Sequence, residues 1–152
     1  RKEKGIYTDE KRCSDIALIS ARYPRAIFTG ESVYYYYGLS DVIPDQFHLA
    51  TLRTDSRIKD SEIRQYFVNE NLFGLGKTVM TYHGTQIAIY SRERLLVDLI
   101  RQKNKLPYDY YKEIISSYRR IVEELDFFLV EECAEKLRNR ESILNAIELE
   151  VL

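Results

Sequence analysis

The stretch TVMTYHGTQIAIYSRERLLVDLI, residues 78–100, decides how the chain is read. Thr78 to Tyr82 and Gln86 to Tyr90 are β-rich runs meeting at His83-Gly84, which predicts a tight hairpin. Directly after it, Ser91 is placed to cap a helix, and Glu93 in the first turn suits the helix dipole. Leu95, Leu96, Leu99 and Ile100 give that helix an apolar stripe, and Arg94 and Asp98 stand one turn apart where they can pair. A hairpin running straight into an amphipathic helix predicts a mixed sheet with helices against it.

Upstream, Ser14 predicts a helix cap, with Ile16, Ala17 and Ile19 at helical spacing until Pro24 stops it. Ala26 to Thr29 predicts a short strand broken at Gly30. Glu31 to Tyr37 predicts a helix closed by Gly38 at C′. A second strand is expected from Gln46 to Leu52, followed by a polar loop from Asp55 to Lys59. Ile63, Tyr66 and Phe67 then predict an amphipathic helix ending near Asn71. Beyond Lys105 the pattern is helical. Pro107 opens a segment with Tyr111, Ile114, Ile115, Tyr118, Ile121, Val122 and Leu125 at one-face spacing, and Phe127 to Leu137 and Ile143 to Leu152 continue it. The expected fold is therefore mixed α/β (α+β): a small mixed sheet with flanking helices and a C-terminal helical tail. Its segments are 1–13 as a linker or the remnant of an upstream domain, 14–105 as the α/β core and 106–152 as a helical subdomain.

Composition narrows the function classes. The 152 residues carry 23 Lys and Arg against 24 Asp and Glu, for a formal charge of −1. Strong autonomous nucleic-acid binding would need a basic excess to release phosphate counterions. With 45% hydrophobic residues and so small a net charge, the chain is not of the disordered class. No apolar run approaches the ~20 residues of a helical membrane span, and RKEKGIYTDEKR contains no signal core. Cys13 and Cys133 have no metal-ligand spacing and fit a reducing, cytoplasmic setting. The chain starts without Met and reads as an excised fragment.

The search for chemistry in the sequence returns little. His48 falls in a strand and His83 in a turn, neither beside a Cys, a Ser elbow or an HExxH pattern. Gly74-Leu75-Gly76-Lys77 lacks the upstream glycine and following helix of a phosphate loop. Gly30-Glu31-Ser32 ahead of a helix has the layout of a nucleotidyltransferase opening. The next strand, however, supplies Asp45-Gln46-Phe47, with one carboxylate where two cations need a pair. No Asp…Glu-x-Lys nuclease pattern follows. The expected metal and cofactor complement is none, and catalytic residues are none.

Two tyrosine clusters stand out. Tyr34 to Tyr37 covers every face of its helix, so at most two rings can point fully inward. Tyr108, Tyr110 and Tyr111 open the tail. A ring-rich core is the simpler reading, and a recognition surface carried by Tyr34, Tyr35, Tyr108 and Tyr110 is the functional one. The basic locality Arg1, Lys2, Lys4, Lys11 and Arg12, diluted by Glu3, Asp9 and Glu10, fits either an auxiliary DNA contact beside an upstream module or a solvated leader.

Taken in order, the segments GIYTDEK, PRAIFTGESVYYYYGLSDVIPDQFHLAT, GKTVMTYHGTQIAIYSRERLLVDLIR and DYYKEIISSYRRIVEELDFF…CAEKLRNRESI resemble the C-terminal part of AbiEi-type antitoxins of type IV toxin–antitoxin (abortive infection) systems. The most specific elements are Gly30-x-Ser32, Gly38-Leu39 ahead of Pro44, and Tyr90-x-x-Glu93-Arg94 with Asp98. The resemblance implies a bacterial phage-defence antitoxin that represses its own operon and counters a nucleotidyltransferase toxin, with no catalytic residues of its own. Operator DNA would be met by an N-terminal winged helix, of which only a last strand around Gly5 to Thr8 is expected here. The alternatives are a nucleotidyltransferase-like enzyme using Asp45 and a transcriptional regulator without a toxin.

Overall fold

A computed structural model describes residues 15–152. The expected cap at Ser14, Cys13, the strand at Gly5 to Thr8 and the basic residues Arg1, Lys2, Lys4, Lys11 and Arg12 lie outside the described residues. Residues 15–22 are helical (α1). There follow β1 (Ile27–Phe28), α2 (Gly30–Tyr36), β2 (Phe47–Leu52), β3 (Ile63–Val68), α3 (Glu70–Phe73), β4 (Lys77–Tyr82), β5 (Thr85–Tyr90), α4 (Arg92–Arg101), α5 (Tyr108–Arg120), α6 (Phe127–Glu135) and α7 (Arg140–Glu150). The five strands form one mixed sheet in the order β3-β2-β1-β5-β4. β1 is antiparallel to β2 and parallel to β5, so two buried residues in the middle join the two halves. The mixed α/β architecture is as expected from the sequence.

Turn and cap chemistry sets several boundaries. His83 and Gly84 both adopt positive φ, 47° and 84°, the backbone of a two-residue hairpin turn whose twist matches its strands. Ser91 Oγ accepts from the Arg94 N–H and caps α4. At the end of α2, the Leu39 N–H reaches the Tyr34 carbonyl at 2.8 Å and the Gly38 N–H the Tyr35 carbonyl at 3.0 Å. That is a Schellman closure, with Gly38 at φ 76°.

One predicted element is corrected. Residues 63–68, expected to begin a helix, are strand β3, in register with β2 from Phe47↔Ile63 to Leu52↔Val68. Arg64 and Gln65 gave the run a polar periodicity, but Ile, Tyr, Phe and Val fit a pleated, half-buried surface once β2 lies alongside. The return through residues 53–62 is short for a parallel connection. Gln65 ties it down: its Oε1 accepts from the Ile58 N–H at 2.7 Å, and its Nε2 donates to the Ser56 carbonyl at 3.1 Å. A second difference is that α5 stops at Arg120. Ile121 and Val122 belong to a tight 3₁₀ turn rather than to a continuing helix.

The core runs through both the expected α/β and helical segments. One apolar cluster joins Ile27, Leu49 and Ile89 of the sheet to Leu95 and Leu96 of α4, Ile114 and Tyr118 of α5, Cys133 of α6 and Ile143 of α7. α4 is the shared layer, packing against α6 and α7. Burial pushes the Cys133 thiol up to about 12, which keeps it in its protonated, apolar form. No helix among the described residues is long and apolar enough to cross a membrane.

Candidate functional site

The residues of the Tyr90-x-x-Glu93-Arg94…Asp98 pattern part company in three dimensions. Glu93 faces α6, where its Oε2 accepts from the Asp126 N–H at 2.8 Å. Tyr90, Arg94 and Asp98 instead converge on a cleft beside the sheet. Arg94 is almost fully buried, its guanidinium 4.1 Å from the Tyr90 ring centroid. Its Nη1 donates to the Leu72 carbonyl at 2.6 Å and the Leu75 carbonyl at 2.5 Å, and its Nε to Asp98 Oδ2 at 3.1 Å. The Tyr90 hydroxyl donates to the Phe73 carbonyl at 2.5 Å. Two side chains thus anchor three carbonyls of the α3 turn. Gly76 completes the fit: at φ 80° a Cβ there would stand 2.5 Å from Arg94 Cβ, closer than carbon atoms allow. Burial raises the Asp98 pKa above the ordinary carboxylate value, against the opposing pull of Arg94 and then Arg101, whose Nη1 lies 3.5 Å from Asp98 Oδ1.

Across the cleft, Gly30 and Ser32 position a histidine. Ser32 Oγ accepts from the His48 N–H at 2.9 Å. Gly30 has φ 56°, and a Cβ there would meet His48 Nδ1 and Tyr66 Oη at 3.4 Å each. His48 Nδ1 and the Tyr66 hydroxyl are hydrogen-bonded at 2.7 Å, and His48 Nε2 lies 4.0 Å from Glu31 Oε1. Burial, and secondarily the Arg64 charge, lowers the His48 pKa to about 4, and burial raises that of Glu31. The imidazole is therefore neutral near pH 7. The sequence places His48 in a strand, but the helical reading of Ile63, Tyr66 and Phe67 conceals its partnership with Tyr66. Paired strands put Ala50 opposite Tyr66 and His48 on the adjoining diagonal.

The remaining expected site residues separate into packing and surface. Leu39 and Pro44 are buried. Tyr34, expected as part of an interaction surface, is corrected to core: it is 2% exposed and its hydroxyl donates to the Leu95 carbonyl at 3.0 Å. Of the same set, Tyr35 is half-buried, Tyr110 is half-buried, and Tyr108 is exposed with Lys112 Nζ 5.4 Å from its ring centroid. The tyrosine run acts mainly as a fastener for α2. Tyr37 donates to the Tyr90 carbonyl at 3.0 Å, and the Tyr36 ring stacks on Tyr82 with centroids 4.4 Å apart. Asp45 is exposed at the entry to β2. Among the described residues, no group of three or more His, Cys, Asp or Glu is arranged to hold a metal ion.

The lowered His48 pKa predicts an acid-sensitive fold. Folding depresses the pKa from 6.5 to about 4, so between those values the unfolded chain binds a proton that the folded chain refuses. Stability is full above about pH 6.5 and is lost as pH falls toward 4. At about 1.4 kcal/mol per unit, the loss by pH 4 is about 3 kcal/mol. Urea midpoints at about pH 7 and pH 4 for wild type and His48→Gln check it. The variant is expected to show a shallower decline, and parallel declines would remove His48 as the cause. The chain matches no protein-family model, and a search of curated proteins likewise returns no match.

Proposed function

We propose that this chain is a non-enzymatic antitoxin module of the AbiEi type. It would act in the cytoplasm against a nucleotidyltransferase toxin and support autorepression through a winged-helix domain that contacts operator DNA. The observation that carries this reading is the ordered motif series, together with what its polar members do. Ser32, Tyr90 and Arg94 each direct their hydrogen-bonding groups at backbone within the fold, and Arg94 adds Asp98. These contacts support a structural role for the motif residues, in line with that reading.

Co-expression with a nucleotidyltransferase toxin of such a system provides the test, using the chain alone and the chain fused behind a winged helix. Relief of growth arrest by the fusion is expected, and unrelieved arrest sinks the proposal. In parallel, purified protein is incubated with labelled nucleotides, Mg²⁺ and RNA acceptors. Incorporation that disappears in Asp45→Ala would replace the antitoxin reading with an enzymatic one.

A further inference from the structure

The cleft between the Arg94 cluster and the His48–Tyr66 pair has a charge that the chain as a whole lacks. It has a volume of about 220 Å³, and among the described residues its lining includes the guanidinium-bearing Arg53, Arg94 and Arg101 against the single carboxylate of Asp98. Three cations against one anion leave an excess of two positive charges, in a chain whose formal charge is −1. The three arginines are not equivalent. Arg94 is committed to two carbonyls and Asp98. Arg101 shares Asp98 at the longer distance of 3.5 Å, with its side chain 40% exposed. Arg53, at the start of the β2–β3 return, is exposed and makes no ion pair among the described residues. Arg53 and Arg101 are thus the cations available to a ligand.

Neutral hydrogen-bonding groups accompany them. Asn69 caps α3 by position but makes no side-chain capping bond, and Gln102 and Tyr66 also line the cleft. Ala50, Leu72 and Leu95 supply the apolar wall. The volume is below the ~300–1,000 Å³ of sites for drug-sized molecules, which selects a small occupant. A monocarboxylate would match only one of the two surplus charges. A phosphomonoester, at about −1.5 to −2 near neutral pH, matches both, and its oxygens suit the planar fork of a guanidinium.

We infer that this cleft binds a small phosphomonoester no larger than a sugar phosphate, with Arg53 and Arg101 on the phosphate and Asn69, Gln102 and Tyr66 serving the hydroxyl-bearing body. The inference does not depend on the antitoxin reading, since it rests on the cleft alone.

Titration of the whole chain, followed calorimetrically and by amide chemical shifts, tests it with four probes: ribose 5-phosphate, inorganic phosphate, ribose and adenosine monophosphate. Ribose 5-phosphate is expected to bind most tightly, to weaken with added salt, and to shift amides around Arg53, Asn69 and Gln102. Ribose is expected not to bind, and adenosine monophosphate to bind more weakly because its base exceeds the cleft. Arg53→Glu alters an exposed residue without an ion pair among the described residues, so its thermal midpoint should stay close to wild type while affinity falls roughly tenfold or more. Arg101→Gln is expected to weaken binding in the same direction. Absence of shifts at about 10 mM ribose 5-phosphate would overturn the site. So would equal binding of ribose and its phosphate, or an affinity unchanged in Arg53→Glu. Inorganic phosphate binding as tightly as the ester would overturn the assignment of the neutral groups.

Discussion

Arg94→Met is expected to destabilise the fold by about 3–5 kcal/mol, the range for removing one partner of a buried charged pair. The substitution keeps much of the apolar stem and removes only what the guanidinium does. Leu72 and Leu75 lose a charged donor to their carbonyls, Asp98 keeps only the partly exposed Arg101, and Tyr90 loses the cation above its ring. The Leu75 carbonyl loses its side-chain donor and Asp98 loses the nearer of its two cations, and desolvated groups weakened in this way cost more than the net worth of the bonds removed. Urea denaturation measures the effect. A double-mutant cycle with Asp98→Asn separates the ion pair from the carbonyl contacts, because these two parts share Arg94 but not Asp98. A loss below about 1 kcal/mol for Arg94→Met would mean that the α3 turn is held by something else.

Leu96→Ala is the second large effect, expected at about 2–5 kcal/mol. Leu96 is fully buried in the helix that contacts both α6 and α7. Truncation there removes apolar area and leaves a cavity that its packed surroundings can refill only in part. Ile121→Ala is the contrasting measurement, expected at only about 1–2 kcal/mol. Periodicity places Ile121 on the same stripe as Tyr118, but it sits at the end of α5, partly buried. Equal costs at the two positions would show that the difference in their burial does not set the cost.

The contrast between these residues shows how much of the molecule was legible in the sequence. Leu96 was readable because a capped helix with apolar residues three and four apart must bury that face, whatever it packs on. Ile121 was not, since periodicity cannot register where a helix stops when no Gly or Pro marks the end. At the site, Arg94 and Asp98 were readable as a pair from their spacing. That the pair is buried under the α3 turn, and not lying along a solvated helix side, depends on Gly76 bringing that turn against Arg94 Cβ. Tyr34 illustrates the reverse. Four successive tyrosines give no periodic preference, so only the neighbours of α2 decide which ring goes inward.

What the sequence determined by itself is what contiguous residues enforce: the His83-Gly84 reversal, the Ser91 cap, the closure of α2 at Gly38, and a mixed set of strands and helices. Turn dihedrals and caps are satisfied within a few residues, so no distant partner can veto them. The tertiary structure decided that residues 63–68 are a strand, because half-buried β-branched and aromatic residues take the form their neighbouring strand offers. It also decided that Arg53, Tyr66, Arg94 and Arg101 share one cleft. Arg94 and Arg101 share one face of α4 with Asp98. Arg53 and Tyr66 lie far from them along the chain, with no local signal that they meet that face, and only the packing of the sheet against α4 brings them there.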